Sequence, residues 1–194
     1  MGKIVDFSHH NGEINWEAAS RELDLAIIRV QYGSTKEDSH YKEYIKGCKM
    51  YEIPFAHYAY ALFVSINDAI VEARDFMNRV DPEAKFLVVD VEEETTRNPN
   101  NMALATQAFI DECRKEGWKI GLYTGHHFYH PYNMGSVDAD FLWIPRYGEK
   151  KPSIPCDIWQ YTDKGTLAGV SGNVDLNYLN GNKGLNWFIG DSSL

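Results

Sequence analysis

A chain of 194 residues, 44% hydrophobic and 24% charged, is long enough to bury one core and sits near the size of a single α/β domain. Its net charge of −9 comes with no Lys/Arg block, which argues against a nucleic-acid partner, and no apolar run approaches membrane-spanning length. Three widely spaced cysteines, Cys48, Cys113 and Cys156, contain no CxxC pair and fit buried thiols of a reducing cytoplasm rather than a disulfide or metal framework.

In chain order, the first apolar, β-prone run covers residues 3–7, followed by a weak helical stretch at 16–23 and a second strand at 25–31. A stripe of Tyr41, Tyr44, Ile45 and Cys48 predicts a helix over 41–51, ahead of a strand at 54–60. From Ser65, the residues Ile66, Ala69, Ile70, Ala73, Phe76, Met77 and Val80 recur at helical spacing. Ser65 and Asp68 supply a capping pair, and Asp81-Pro82 ends the segment. A strand at 85–92 and a helix over 102–116, capped by Gly117, come next. Strands at 120–124, 141–145, 157–161 and 173–177 complete the set. Strand and helix alternate, so βαβ units and a parallel sheet are expected, and eight strand candidates favour a closed barrel. The last three strands lie too close together for full crossover helices. The polar, glycine-rich stretch after Leu179 divides the chain into a domain at 1–179 and a tail or start of linker at 180–194.

The run Phe86-Leu-Val-Val-Asp90-Val-Glu92 carries the most chemistry. Carboxylates at i and i+2 on a strand share one face, where two like charges work against stability unless a countercharge, a metal or a reaction uses them. A solvent-facing strand edge is the alternative, and the apolar lead-in argues against it. Asp6 ends the first strand, Asp90 and Glu92 end the fourth, and Asp175 sits in the last. Barrel closure places the last strand beside the first, so four carboxylates gather at the face where barrel enzymes do their chemistry. Repulsion in such a cluster keeps the least solvated carboxyl protonated as a general acid while its neighbours stabilise positive charge, as glycosidic cleavage requires. Twelve Tyr and five Trp exceed the needs of a core, and Tyr58, Tyr60, Tyr123, Trp143 and Tyr161 near the same strand ends fit a sugar cleft. The spacing of His126 and His130, together with His9 and His10, suggests a competing metal site. That segment lacks the Glu of HExxH and runs at once into Pro131, so no metal and no cofactor are expected.

Asp6-Phe-Ser-His-His-Asn-Gly12, followed by Trp16, resembles the opening of glycoside hydrolase family 25 muramidases, often Asp-x-Ser-x-x-Asn/Gln-Gly. The likeness continues through Ala26-Ile-Ile-Arg-Val-Gln31, Gly33, Asp38, Tyr41, Pro54-Phe-Ala-His-Tyr58, Val88-Val-Asp90-Val-Glu92, Gly121-Leu-Tyr-Thr-Gly125, Leu142-Trp-Ile-Pro145, Trp159-Gln-Tyr161 and Gly172-Asn-Val-Asp175. It spans residues 3–177, and its wording at 143–148 and 156–160 looks closest to phage endolysins that lyse Bacillus-type hosts. Tyr32 departs from the pattern, since many relatives carry an acid before the glycine.

The resemblance implies an α/β fold, a modified TIM-like barrel of five β/α units followed by three further strands. It implies an N-acetylmuramidase that hydrolyses the β-1,4 bond from N-acetylmuramic acid to N-acetylglucosamine in bacterial peptidoglycan. Glu92 matches the general acid/base, Asp90 the carboxylate that stabilises the substrate's acetamido group, and Asp6 and Asp175 the flanking acids. Tyr58, Tyr60, Tyr123, Trp143, Gln160 and Tyr161 are the expected substrate contacts. Two alternatives are a metal-dependent polysaccharide deacetylase and an inactive wall-binding module. A monomer is expected, with neither nucleic-acid nor membrane partner. The N-terminus lacks the apolar core of a signal peptide, so the enzyme is expected in the host cytoplasm until release to the wall. Walls are polyanionic and the chain is acidic, so a separate C-terminal wall-binding domain, absent from this chain, is expected to supply attachment.

Overall fold

In the computed structural model, which describes residues 2–190, each strand alternates between a face turned into a barrel and a face turned toward helices. Five β/α units come first: β1 (Lys3–Phe7) with α1 (Trp16–Ala19), and β2 (Leu23–Tyr32) with the two-residue β3 (Lys36–Glu37) and α2 (Tyr41–Met50). The others are β4 (Phe55–Tyr60) with α3 (Ile66–Arg79), β5 (Leu87–Val91) with α4 (Met102–Lys115), and β6 (Ile120–Thr124) with α5 (His126–Tyr129). Then β7 (Phe141–Pro145), β8 (Ile158–Gly165), β9 (Val174–Leu179) and α6 (Leu185–Ile189) follow. The sheet order is β1-β9-β8-β7-β6-β5-β4-β2-β3, and a β1–β2 pairing closes eight of these strands into a barrel. β3 is a hairpin extension of β2 outside the barrel wall.

Strands β1 to β8 of the wall run parallel, while β9 is antiparallel to both neighbours, β8 and β1. The crowding of the late strands has the expected result: no helix intervenes between β7 and β8, and β8 turns straight back into β9. α1 stops at Ala19, short of the 16–23 expectation, because Leu23 is already paired with Lys3 at the start of β2. α3 begins where its cap does. The Ser65 hydroxyl accepts from the Asp68 N–H at 3.1 Å, and Asp68 reaches back to the Val64 N–H at 2.8 Å.

The outward faces of the strands and the buried stripes of α2, α3 and α4 form the larger apolar layer, around Phe7, Ile28, Val30, Tyr44, Phe76 and Phe109. The three cysteines are buried free thiols. Inside the barrel, Ile4, Leu25, Ile27, Ala56, Phe86, Val88, Phe141 and Ile158 fill the lower levels. Gly121 faces inward on β6 and leaves room for Phe141, whose ring would lie 2.3 Å from any Cβ placed there. α6 plugs the bottom, with the Phe188 ring centred 5.5 Å from Phe86 and 5.1 Å from Phe141. Of the 180–194 segment expected as a tail or linker start, residues 185–189 therefore pack as part of the barrel, and 191–194 lie outside the described residues. Among the described residues no helix is long and apolar enough to cross a membrane.

Phe188→Ala is expected to destabilise the fold by about 3–5 kcal/mol, read from the midpoint of denaturant unfolding. A loss under about 1 kcal/mol would show that α6 merely rests on the barrel.

Candidate active site

Above the apolar levels the inward positions turn polar. Asp6 on β1, Arg29 on β2, Tyr58 and Tyr60 on β4, Asp90 on β5, Tyr123 on β6, Trp143 on β7 and Gln160 on β8 line a cavity of about 220 Å³. These side chains lie toward the C-terminal ends of the parallel strands. Asp175 reaches the same rim from the other direction. It is near the N-terminal end of β9, and the antiparallel register sets it directly opposite Asp6. Glu92 follows β5 by one residue and is half-buried, and the loop behind it is pinned. Tyr60 donates to Glu93 at 2.6 Å, Tyr132 donates to Glu94, and Thr95 donates to the Phe63 carbonyl at 2.7 Å.

Every predicted site residue except Tyr161 lines this cavity. Strand alternation forbids Gln160 and Tyr161 from sharing a face, and with Gln160 inward Tyr161 points out, stacked on Tyr178 at 3.9 Å between ring centres. Tyr123 and Trp143 also differ from simple sugar platforms. Trp143 is only 2% exposed, and its Nε1 donates to Asn177 Oδ1 at 2.8 Å. With that oxygen engaged, the Asn177 amide nitrogen faces Asp6, donating to Oδ2 at 2.8 Å. In the same way Tyr123 donates to Gln160 Oε1 at 2.9 Å, and Gln160 Nε2 donates to both Asp6 oxygens at 3.1 Å. Two aromatic donors thus orient two amides, and both amides serve one carboxylate.

Electrostatics divide the four acids. Burial raises Asp6 above the usual carboxylate range, while the Asn177 and Gln160 donors work in the opposite direction. Burial and the facing Asp6 push Asp175 up to about 8, and the hydrogen bond between the two carboxyls raises Asp175 while lowering Asp6. Asp175 therefore holds the shared proton and Asp6 accepts it. Burial, followed by repulsion from Glu92 and Asp6, lifts Asp90 well above its ordinary value, with Arg29 as the opposing charge. Asp90 is 5% exposed, and its Oδ1 has no partner among the described residues. Glu92 is raised by burial, by Asp6 and by Glu93.

The sequence reading missed Arg29, Asn177, Ser8 and Tyr147, and it weighed His10 only for a metal site. Arg29 carried a signal, a lone charge that continues the inward alternation of Leu25 and Ile27. Asn177 follows Asp175 by two on β9. The loop residues Ser8, His10 and Tyr147 had no periodicity to mark them. His9 is turned to Asp38 and Arg29, and among the described residues no group of three or more His, Cys, Asp or Glu side chains could hold a metal ion.

The family model "Glycosyl hydrolases family 25" matches residues 5–170, which include Asp6, Asp90 and Glu92 but stop short of Asp175. An autolytic lysozyme of Clostridium acetobutylicum is 30% identical over 90% of this chain, which spans only 54% of that relative's length. Among solved structures, the catalytic domain of endolysin ply40 from a Listeria monocytogenes bacteriophage has a TM-score of 0.91 at 31% identity, covering 98% of both chains. A glycosyl hydrolase 25 of Streptococcus pneumoniae, described as a virulence factor participating in host cell invasion, has a TM-score of 0.88 at 28% identity, over 96% of this chain and 92% of its own.

Asp175 yields a prediction with a definite sign. Between its ordinary 3.8 and about 8, the folded protein keeps a proton that the unfolded chain has released, so stability is lost as pH rises through that window. Asp175→Asn donates to Asp6 at every pH and is expected to melt higher than the native protein above pH 8, with no such advantage in acid. Equal melting of the two at alkaline pH would overturn the proton assignment.

Proposed function

The chain belongs to glycosyl hydrolases family 25, and on that premise we propose that it cleaves the β-1,4 bond between N-acetylmuramic acid and N-acetylglucosamine in peptidoglycan. One observation carries the assignment of roles. Glu92, half-buried and with its carboxyl raised by burial, Asp6 and Glu93, sits two residues from a buried Asp90 whose Oδ1 has no partner among the described residues. The two titrate as a pair, in which one proton relieves the repulsion. In the free site burial and the Glu92 charge raise Asp90 more strongly than Glu92 is raised, and Arg29 opposes that rise. An acetamido donor at Asp90 Oδ1 adds to Arg29 and shifts the charge to Asp90 and the proton to Glu92.

In this reading the acetamido N–H of the muramoyl residue meets Asp90 Oδ1 and turns the acetamido oxygen toward the anomeric carbon. Glu92 gives its proton to the leaving glycosidic oxygen as the acetamido oxygen attacks, forming an oxazolinium whose positive charge Asp90 faces. Glu92, now a carboxylate, takes a proton from water as that water opens the ring, and configuration is retained. Asp6, fixed by two amides and by Asp175, adds negative potential beneath the developing oxocarbenium. We further propose that the barrel acts as a monomer. We place it in the host cytoplasm before release and at the wall afterwards. The barrel carries a net charge of −9, so attachment to a polyanionic wall is proposed to come from a wall-binding module rather than from the barrel. Bacillus-type walls are the proposed first substrate.

Glu92→Gln is expected to lower turnover of purified peptidoglycan by about 10²- to 10⁴-fold while leaving thermal unfolding intact. Near-native turnover would sink the acid assignment. Mass analysis of the native enzyme's products is expected to show new reducing ends at muramic acid. Free acetate in their place would identify a deacetylase.

A further inference from the structure

A second cavity, of about 430 Å³, adjoins the catalytic one, and His10 and Arg29 line both. An aromatic wall runs between the two. Tyr60, at the catalytic rim, stacks on Tyr32 with ring centres 4.6 Å apart and planes 16° from parallel. Across the β2–β3 hairpin Lys36 pairs with Tyr32, and its Nζ lies 5.9 Å from the Tyr32 ring centre. Gly33, at φ +59°, makes the turn that brings Lys36 back over β2, and its missing side chain leaves room for Leu62.

Charge in this second cavity is unbalanced. Asp38 is consumed by Arg29 Nε at 3.1 Å and by the backbone N–H groups of His9 and His40, each at 3.0 Å. Glu37 is taken by Lys42 at 3.2 Å and Arg79 at 3.4 Å. Burial and the neighbouring His9 and Arg29 lower His10, which leaves it a neutral hydrogen-bonding ring. Lys36 has no ion pair among the described residues. One end of the joint groove therefore holds four carboxyl groups, and the other offers a free ammonium beside a flat aromatic wall.

We propose that the second cavity takes the peptide stem of the muramoyl residue, with Lys36 meeting a stem carboxylate. The inference rests on the muramidase reading. On a muramoyl ring the lactyl-peptide leaves C3, next to the C2 acetamido group assigned to Asp90. From Asp90 the adjacent strand carries Tyr60 and the strand beyond it carries Tyr32, so a C3 substituent has a direct path to Lys36. The ionised members of the acid cluster repel an anionic stem from positions nearer the reacting bond. Lys36 thus fixes which sugar stands at Asp90.

The test compares two substrates: purified peptidoglycan with its stems, and the same glycan stripped of stems by an amidase. Release of reducing ends is measured for the native enzyme, Lys36→Glu and Lys36→Arg. Lys36→Glu is expected to lose about fivefold in kcat/KM on the stem-bearing glycan, a loss that shrinks with added salt. It is expected to match the native enzyme on the stripped glycan, and Lys36→Arg to retain activity on both. An equal loss on both substrates, or none on either, would overturn the stem assignment. A native enzyme that releases no reducing ends from either would overturn the muramidase reading itself.

Discussion

Four carboxyl groups share the top of one barrel with a single guanidinium, and repulsion among them governs the chemistry available there. Ionised together in a low-dielectric pocket they would destabilise the fold, so protons must remain. Asp6 and Asp175 settle theirs by facing each other across an antiparallel pair with one shared hydrogen bond. Asp90 and Glu92 have no such bond. In the proposed mechanism their excess is resolved by an arriving acetamido group and by proton transfer to a leaving oxygen, which would tie the instability of the free site to its use.

The scaffold makes this repulsion tolerable. Apolar side chains fill the lower barrel, α6 seals it, and the strands hold the acids where they cannot separate. Arg29 is itself partly neutralised by Asp38, so it moderates Asp90 without cancelling it. The amides of Gln160 and Asn177, oriented by Tyr123 and Trp143, give Asp6 donors that do not depend on a second cation. Aromatic side chains here set the direction of hydrogen bonds, and Tyr60 and Tyr32 together carry the wall outward toward Lys36.

Much of this was legible in the sequence. Position at the strand ends gathered Asp6, Tyr58, Tyr60 and Asp90 at one rim, and counting strands gave a closed barrel whose ends meet. The spacing of β7, β8 and β9 excluded crossover helices. What the spacing could not give was direction: Asp175 reaches the rim because β9 runs backward, and nothing local to 173–177 says so. Tyr161 was grouped with the cleft by its strand-end position alone, and the alternation that turns Gln160 inward leaves it outside this cavity. Arg29 was overlooked because a charge within an apolar strand was read as part of a motif rather than as an inward charge needing a partner. The pairing of Asn177 with Trp143 joins residues far apart in the chain, which periodicity does not reach.

The decisive measurement is a ¹³C NMR titration of the Glu92 carboxyl in the free enzyme. Its midpoint is expected above that of an exposed glutamate, because burial, Asp6 and Glu93 all resist its ionisation. A midpoint in the ordinary glutamate range would mean that the cluster does not hold a proton on Glu92, and the acid role assigned to that residue would be contradicted.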